Sequence, residues 1–279
     1  MTDFLVFMAA PLTACFVMVG IHVYLGIHVL EREVIFVDLS LAQIAAVGST
    51  LAFLAGYDHE HPFAYVASLG ATFSGAAIFS FTRTRSNRIP QEAIIGIVYA
   101  VSAAAVILAM DRAPHGAEQI KNMLVGSVLW VTWPEILKLA GIYLVVGFFH
   151  WVMRERFLTL TFRPSDAEQN NWAVRSWDFV FYASFGFVIT SSVPIAGVLL
   201  VFSFLIVPTV CGALFSDSLP KRLAIGWIVG FLASALGCAL SYQADLPTGA
   251  TIVCVFGGTL VLLGVYKALT PNTSTRRVL

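Results

Sequence analysis

Charged residues are scarce in this sequence, at 11% of 279 residues, whereas about a quarter of a typical soluble domain is charged. Apolar residues make up 58% of the chain, which leaves too little polar surface to keep a folded domain of this size in water. This scarcity excludes a soluble globular protein and predicts an integral membrane protein surrounded by the lipid bilayer. The formal net charge is zero, so the composition gives no indication of a nucleic-acid partner.

The sequence also lacks the short motifs of several enzyme classes. It contains no Walker A loop to hold ATP phosphates and no HExxH or GxSxG motif. We therefore expect no enzymatic activity of its own and no bound cofactor. The four cysteines stand in apolar runs without CxxC spacing, and we expect small buried side chains rather than disulfides or metal ligands at Cys15, Cys211, Cys238 and Cys254.

Apolar runs long enough to cross a bilayer recur along the whole chain, separated by short polar breaks. They predict an all-α, polytopic membrane protein with a single domain over residues 1–279. The run at 177–191 is short for a crossing and is followed by a break before Pro194, so nine spans are expected, with eight as the alternative. The runs lie at about 4–29, 34–56, 62–82, 90–110, 133–153, 177–191, 194–215, 222–242 and 249–268.

The start of the chain and the segment 117–131 are less regular. The chain starts without a positively charged leader region or a clear cleavage site, so its first run is expected to be a span rather than a removed signal. Residues 117–131 are expected to form a short interfacial or re-entrant helix, because Trp130 and Trp133 suit the headgroup level of a membrane.

The distribution of lysine and arginine predicts the orientation. If the loop at 31–33 is cytoplasmic, the loops on that side hold thirteen of the sixteen basic residues. By the positive-inside rule, the N-terminus then lies outside and the C-terminus in the cytoplasm. The thirteen residues are Arg32, Arg83, Arg85, Arg88, Arg154, Arg156, Arg163, Arg175, Lys221, Arg222, Lys267, Arg276 and Arg277.

The second span contains two polar side chains that are costly in lipid. Asp38 lies little more than one turn inside the span, and Gln43 lies deeper, about 140° around the helix axis. Small residues along the same span allow neighbouring helices to approach closely. Two explanations remain open: Asp38 and Gln43 line a path through the membrane, or they bridge neighbouring helices.

Histidines offer further metal ligands. His22 and His28 lie on the first span, about 120° apart around its axis, so one helix face cannot present both. His59 and His61 stand in a loop on the predicted outer side, where they could collect metal ions. The alternatives are packing within the bundle for the first pair and an ordinary solvated loop for the second.

Five segments, in order, resemble motifs of one transporter family. They read VIFVDLSLAQIAAVG at 34–48, RIPQEAIIGI at 88–97, MLVGSVL at 123–129, PIAGVLLV followed by LIVP within 194–208, and LSY followed by DLPTG within 240–249. This ordered series resembles the permease subunits of ATP-binding-cassette (ABC) importers for zinc, manganese or iron.

The resemblance implies a homodimer in the cell membrane, with a cytoplasmic ATP-binding subunit and an extracytoplasmic metal-binding protein as partners. It implies a translocation pathway lined by Asp38 and Gln43, with Asp245 near the outer mouth. The stretch after Pro208 is implied to couple the permease to the ATPase, through Thr209, Leu214, Phe215, Asp217 and Lys221.

One departure from the family pattern concerns a histidine of the second-span motif. Alignment from Gly48 places Gln43 at that position, whereas alignment from Asp38 places Ala42 there. Neither side chain replaces imidazole as a ligand for metals such as Zn²⁺. The main alternative function is a secondary transporter driven by an ion gradient, which would need no ATPase.

Overall fold

The computed structural model describes residues 2–58, 61–83, 89–111, 116–170 and 172–270. These residues form helices and contain no strand, which confirms the predicted all-α fold. The helices are α1 (Thr2–Glu31), α2 (Val37–Leu54), α3 (Pro62–Phe81), α4 (Gln91–Met110), α5 (Gly116–Val125), a 3₁₀ turn (Val128–Trp130), α6 (Trp133–Val152), α7 (Arg154–Phe162), α8 (Pro164–Gln169), α9 (Val174–Phe215), α10 (Leu219–Ala244) and α11 (Thr248–Leu269).

Helix α9 folds back on itself at Gly197, whose backbone has φ 76° and ψ 157°. Residues on both sides of Gly197 contact the same part of α1: Phe181 packs its ring 5.6 Å from the ring of His28, and Thr209 donates to the Val23 carbonyl. In one straight helix, Phe181 and Thr209 would be about 42 Å apart. The two limbs, 174–196 and 198–215, therefore run antiparallel.

The bundle has two ends, which the antiparallel packing of α1 against α10 defines. At the far end, where α1 begins, the Phe4 ring lies 5.2 Å from that of Tyr242. At the other end, Glu31 pairs with Arg222. We call this second end the basic end, because Arg32, Arg83 and other cationic residues also lie there.

The number of crossings follows from this geometry. Among the described residues, eight helices are long and apolar enough to cross a membrane, and α9 is one of them. At 1.5 Å per residue its limbs are about 34 and 27 Å long, so each can span the roughly 30 Å hydrocarbon layer. The eight helices thus give nine crossings in the described part of the chain. Helix α1 begins at the far end, and α11 ends at the basic end.

The break predicted before Pro194 is wrong. The first limb continues through Ser191, Ser192 and Pro194 and turns only at Gly197. The hydroxyl groups before the turn have partners on neighbouring helices instead of ending the helix. Thr190 bonds to Thr72, Ser191 bonds to Tyr65, and Ser192 bonds to Tyr143. Bonds of this kind satisfy polar groups that hydrocarbon cannot.

The short helix predicted over residues 117–131 is present at the far end, as α5 and the 3₁₀ turn. Its chain comes close to the fold-back of α9: the Ser127 amide donates to the Ile195 carbonyl at 3.0 Å. Gly126, at φ 69°, packs directly against the backbone of Ala196 and Gly197. This contact leaves no room for a β-carbon at either glycine.

We expect Gly197→Ala to destabilise the protein strongly. Alanine rarely adopts this backbone conformation, and its methyl group would meet the backbone of Val125 and Gly126. The cost should exceed about 2 kcal/mol, measurable as a lower midpoint of thermal unfolding in detergent. Gly264→Ala is the control, because a β-carbon there meets no described atom within 4 Å. Equal midpoints for the two variants would contradict the packed fold-back.

Candidate functional site

A cavity of about 330 Å³ lies between α2, α3, the first limb of α9 and the segment joining α5 to the 3₁₀ turn. It occupies the half of the bundle toward the far end. Its wall consists of Ala42, Ala45, Ala46, Ser49, Ala64, Tyr65, Ser68, Met123, Gly126, Ser127, Thr190, Val193 and Pro194. Alanine and serine on α2 leave this space open, since larger side chains at those positions would fill it.

Asp38 lies on the face of α2 that lines the cavity, toward the basic end. At 100° per residue, the four α2 residues of the wall lie within about 80° of Asp38 around the helix axis, and the nearest, Ala42, is one turn away. Gln43 is buried, but lies about 140° from Asp38 and is not part of the wall. Of the two positions proposed for the family histidine, Ala42 therefore faces the cavity.

Asp38 lies in the first turn of α2, where the N-terminus of the helix stabilises its carboxylate in part, but no cationic side chain of the described residues pairs with it. Its side chain is 2% exposed, and Oδ1 has no hydrogen-bond partner among the described residues. The Glu92 carboxylate lies nearby; one of its oxygens accepts from the Phe36 amide at 2.9 Å, and the other has no partner in the described chain. A buried carboxylate such as that of Asp38 is costly unless it is protonated or a cation approaches.

The rest of the cavity offers only neutral groups. Five wall residues carry hydroxyl groups, and Met123 provides a thioether; the five are Ser49, Tyr65, Ser68, Ser127 and Thr190. The described residues contain no group of three histidine, cysteine, aspartate or glutamate side chains that could hold a metal ion. The arrangement suits a cation that stays briefly, rather than one bound by a full ligand set.

A buried ionic cluster ties α3 to the first limb of α9 at the basic end. Asp178 is fully buried and pairs with Arg32 at 3.0 Å and with Arg83. Arg32 also lies 4.1 Å from the centre of the Phe181 ring and donates to Thr161 on α7. Burial lowers the pKa of Arg32, and the adjacent Asp178 carboxylate opposes that shift.

This cluster lies at the basic end, the same end as Asp38. Helix α3 and the first limb of α9 both line the cavity toward the far end, and the ionic cluster holds them together at the basic end. The Ser80 hydroxyl adds a bond to the Arg175 carbonyl. Sequence reasoning missed Asp178, although the available signal was the same as for Asp38: a carboxylate just inside an apolar run.

The candidate histidines do not form one site. His22 Nδ1 bonds to the Met18 carbonyl at 2.7 Å, while His28 Nδ1 bonds to Thr161 Oγ1 at 2.7 Å. The exposed His61 caps α3 by accepting from the Phe63 amide. His59 lies outside the described residues.

The other predicted positions lie at the two ends. Asp245 is exposed at the far end, in a left-handed conformation that terminates α10. Thr209 is buried inside the second limb of α9, so the predicted coupling segment does not begin as a loop. The helix continues through Leu214 and Phe215, and Asp217 and Lys221 follow, both exposed at the basic end.

Known proteins share this arrangement of spans. The family model described as "ABC 3 transport family" matches residues 4–267. A "probable metal transport system membrane protein" of Chlamydia trachomatis is 24% identical over 254 residues, 89% of this chain and 86% of that protein. A "probable iron transport system membrane protein" of Haemophilus influenzae is 26% identical over 80% of this chain and 79% of its own.

A solved structure shares the fold. The match to PsaBC from Streptococcus pneumoniae, determined in complex with Fab, has a TM-score of 0.78 and covers 96% of this chain and 98% of the matched chain. The sequences are 18% identical, so the likeness extends to the fold alone.

Ala42→His should create a stronger divalent-metal site than Gln43→His. The first substitution places an imidazole on the cavity wall one turn from Asp38, whereas the second places it outside the wall. We expect the Kd for Zn²⁺ of the purified protein to fall at least about tenfold in Ala42→His and to change little in Gln43→His. The opposite ranking would show that Gln43, and not Ala42, faces the ion.

Proposed function

Because this chain belongs to the ABC 3 transport family, we propose that it is the membrane-spanning permease of an ATP-driven importer for a divalent transition metal. A separate subunit hydrolyses the ATP, since the sequence holds no Walker A loop. One observation carries the proposal: a buried carboxylate, Asp38, has an oxygen without a partner among the described residues and lies on the same helix face as the cavity.

The basic end faces the cytoplasm in this proposal. Arg32, Arg83, Arg154 and Arg163 lie there, and the positive-inside rule assigns such an end to the cytoplasmic side of the cell membrane. The N-terminus is then outside and the C-terminus inside. Metal arrives at the far end, delivered by an extracytoplasmic binding protein.

The ion moves from the cavity toward Asp38. Hydroxyl oxygens replace part of its hydration shell, and the Asp38 carboxylate compensates its charge. A lining this weak suits transport, because an ion held by a complete ligand set would leave slowly. Oxygen donors without imidazole or thiolate suit Mn²⁺ better than Zn²⁺, so we propose that this permease prefers manganese over zinc.

Two further partners complete the transporter. The ATPase contacts the basic end at the turn between α9 and α10, around Phe215, Asp217 and Lys221. A second copy of the chain pairs with the first. ATP binding and hydrolysis on the ATPase rock the two copies about a central path, so that the path opens to each side of the membrane in turn.

Uptake into proteoliposomes tests the function. The protein would be reconstituted with its ATPase and binding protein, and Mn²⁺, Fe²⁺ and Zn²⁺ would be compared with and without ATP on the ATPase side. We expect ATP-dependent accumulation, largest for Mn²⁺ and unchanged by ionophores that collapse proton and sodium gradients. Uptake that needs a gradient but no ATP would support a secondary transporter instead, and no movement of any metal would overturn the proposal.

Asp38→Asn should lower metal uptake at least tenfold at subsaturating metal. Asparagine keeps the size of the side chain but removes the charge that balances the cation, and a tenfold loss corresponds to about 1.4 kcal/mol. Initial uptake rates and membrane insertion would be measured together. Asp166→Asn, which changes an exposed carboxylate on α8, is the matched control. Unchanged uptake in Asp38→Asn would remove Asp38 from the path.

Weakening the ionic cluster should let metal leak without ATP. Asp178→Asn leaves Arg32 and Arg83 adjacent without their shared carboxylate, whereas Arg83→Gln removes one partner whose side chain is 32% exposed. We expect an ATP-independent Mn²⁺ flux at least several-fold above the wild type in both variants. Arg163→Gln serves as the control. If both variants fold and neither leaks, the cluster does not close the path.

A further inference from the structure

A groove of about 610 Å³ runs along the outside of the bundle, separate from the cavity above Asp38. Helix α1 forms its floor, and α6 with α7 and α10 form its two walls. The lining is apolar over most of its length, with residues such as Val17, Ile21, Leu144 and Leu223. Since the three long helices α1, α6 and α10 cross the membrane, this groove lies within the hydrocarbon layer.

Two glycines make the groove deep. A β-carbon at Gly20 on the floor or at Gly147 on the wall would meet no described atom within 4 Å. The Trp227 indole reaches across α1 and donates to the Gly20 carbonyl at 3.0 Å. From Ala140 to Trp151 the α6 wall is about 16 Å long, close to the half-thickness of a bilayer. The groove therefore has the length of one leaflet.

The groove becomes cationic where it reaches the basic end. Arg154, the first residue of α7, lines it there with its guanidinium 5.4 Å from the centre of the Trp151 ring. Arg154 forms no ion pair with another described residue, and its side chain is exposed. His150 is not available to a ligand, because its two ring nitrogens bond to Tyr24 and Ser184.

We propose that this groove binds an anionic phospholipid of the leaflet at the basic end. One acyl chain lies along α1 past Gly20 and Gly147, and the phosphate pairs with Arg154. An apolar channel one leaflet long, ending in an arginine beside a tryptophan at headgroup level, matches the two parts of such a lipid. A second copy of this chain would match the apolar part, but it would leave Arg154 without an anion.

The proposal rests on the membrane fold and not on transport, so it is tested by binding alone. The purified protein in neutral detergent would be titrated with phosphatidylglycerol or phosphatidylcholine, and bound lipid would be counted by native mass spectrometry. We expect phosphatidylglycerol to bind at least tenfold more tightly and to raise the midpoint of thermal unfolding.

Two matched pairs of variants locate the site. Gly147→Leu fills the groove, whereas Gly141→Leu adds the same side chain to α6 outside the groove; a β-carbon at either glycine would meet no described atom within 4 Å. Arg154→Gln removes the proposed phosphate partner, and Arg163→Gln removes another exposed arginine at the same end. Only Gly147→Leu and Arg154→Gln should weaken phosphatidylglycerol binding, by about tenfold.

Three results would overturn the proposal. The first is equal binding of the two lipids by the wild type. The second is phosphatidylglycerol binding that survives both Gly147→Leu and Arg154→Gln. The third is a change of oligomeric state in Gly147→Leu with no change in lipid binding, which would show that a second copy covers the groove.

Discussion

The chain reverses direction at Gly197 in a backbone conformation that residues with a β-carbon rarely adopt, and the functional geometry depends on that reversal. The first limb of α9 carries Thr190, Val193 and Pro194 to the cavity wall and Asp178 to the basic-end cluster. The second limb returns beside α1 to the basic end. Gly126 belongs to the cavity wall and packs against the turn, so this part of the wall and the fold-back form one unit.

Hydrocarbon imposes the second constraint, because a polar group there must find its partner inside the protein. Most buried polar groups of the bundle do so, as the bonds of Thr190, Ser191 and Ser192 to three neighbouring side chains show. Seven buried side-chain atoms have no partner among the described residues, and two of them are carboxylate oxygens, on Asp38 and Glu92, toward the basic end from the cavity. Ionisable residues within membrane spans are costly, and they commonly mark the path of an ion.

The helices, the number of crossings and the candidacy of Asp38 could be predicted from the sequence, because apolar runs and a lone carboxylate are local signals. The position at which the chain turns could not be predicted from the sequence. The break was expected before Pro194, whereas the turn lies at Gly197, where the chain packs against Gly126. The sequence also could not show whether Gln43 or Ala42 occupies the position of the family histidine, because that depends on which face of α2 borders the cavity. Asp178 was missed although it is also a carboxylate just inside an apolar run; only its pairing was beyond sequence reasoning, because its arginine partners come from distant segments.

We propose that the ionic cluster closes the basic end and that the cavity above Asp38 is reached from the far end. A single cysteine introduced by Ala42→Cys, with the four native cysteines replaced, would be exposed to a membrane-impermeant thiol reagent from each side in right-side-out and inverted vesicles without nucleotide. We predict modification from the far end only, slowed by Mn²⁺. Modification from the basic end, or no protection by Mn²⁺, would contradict this claim.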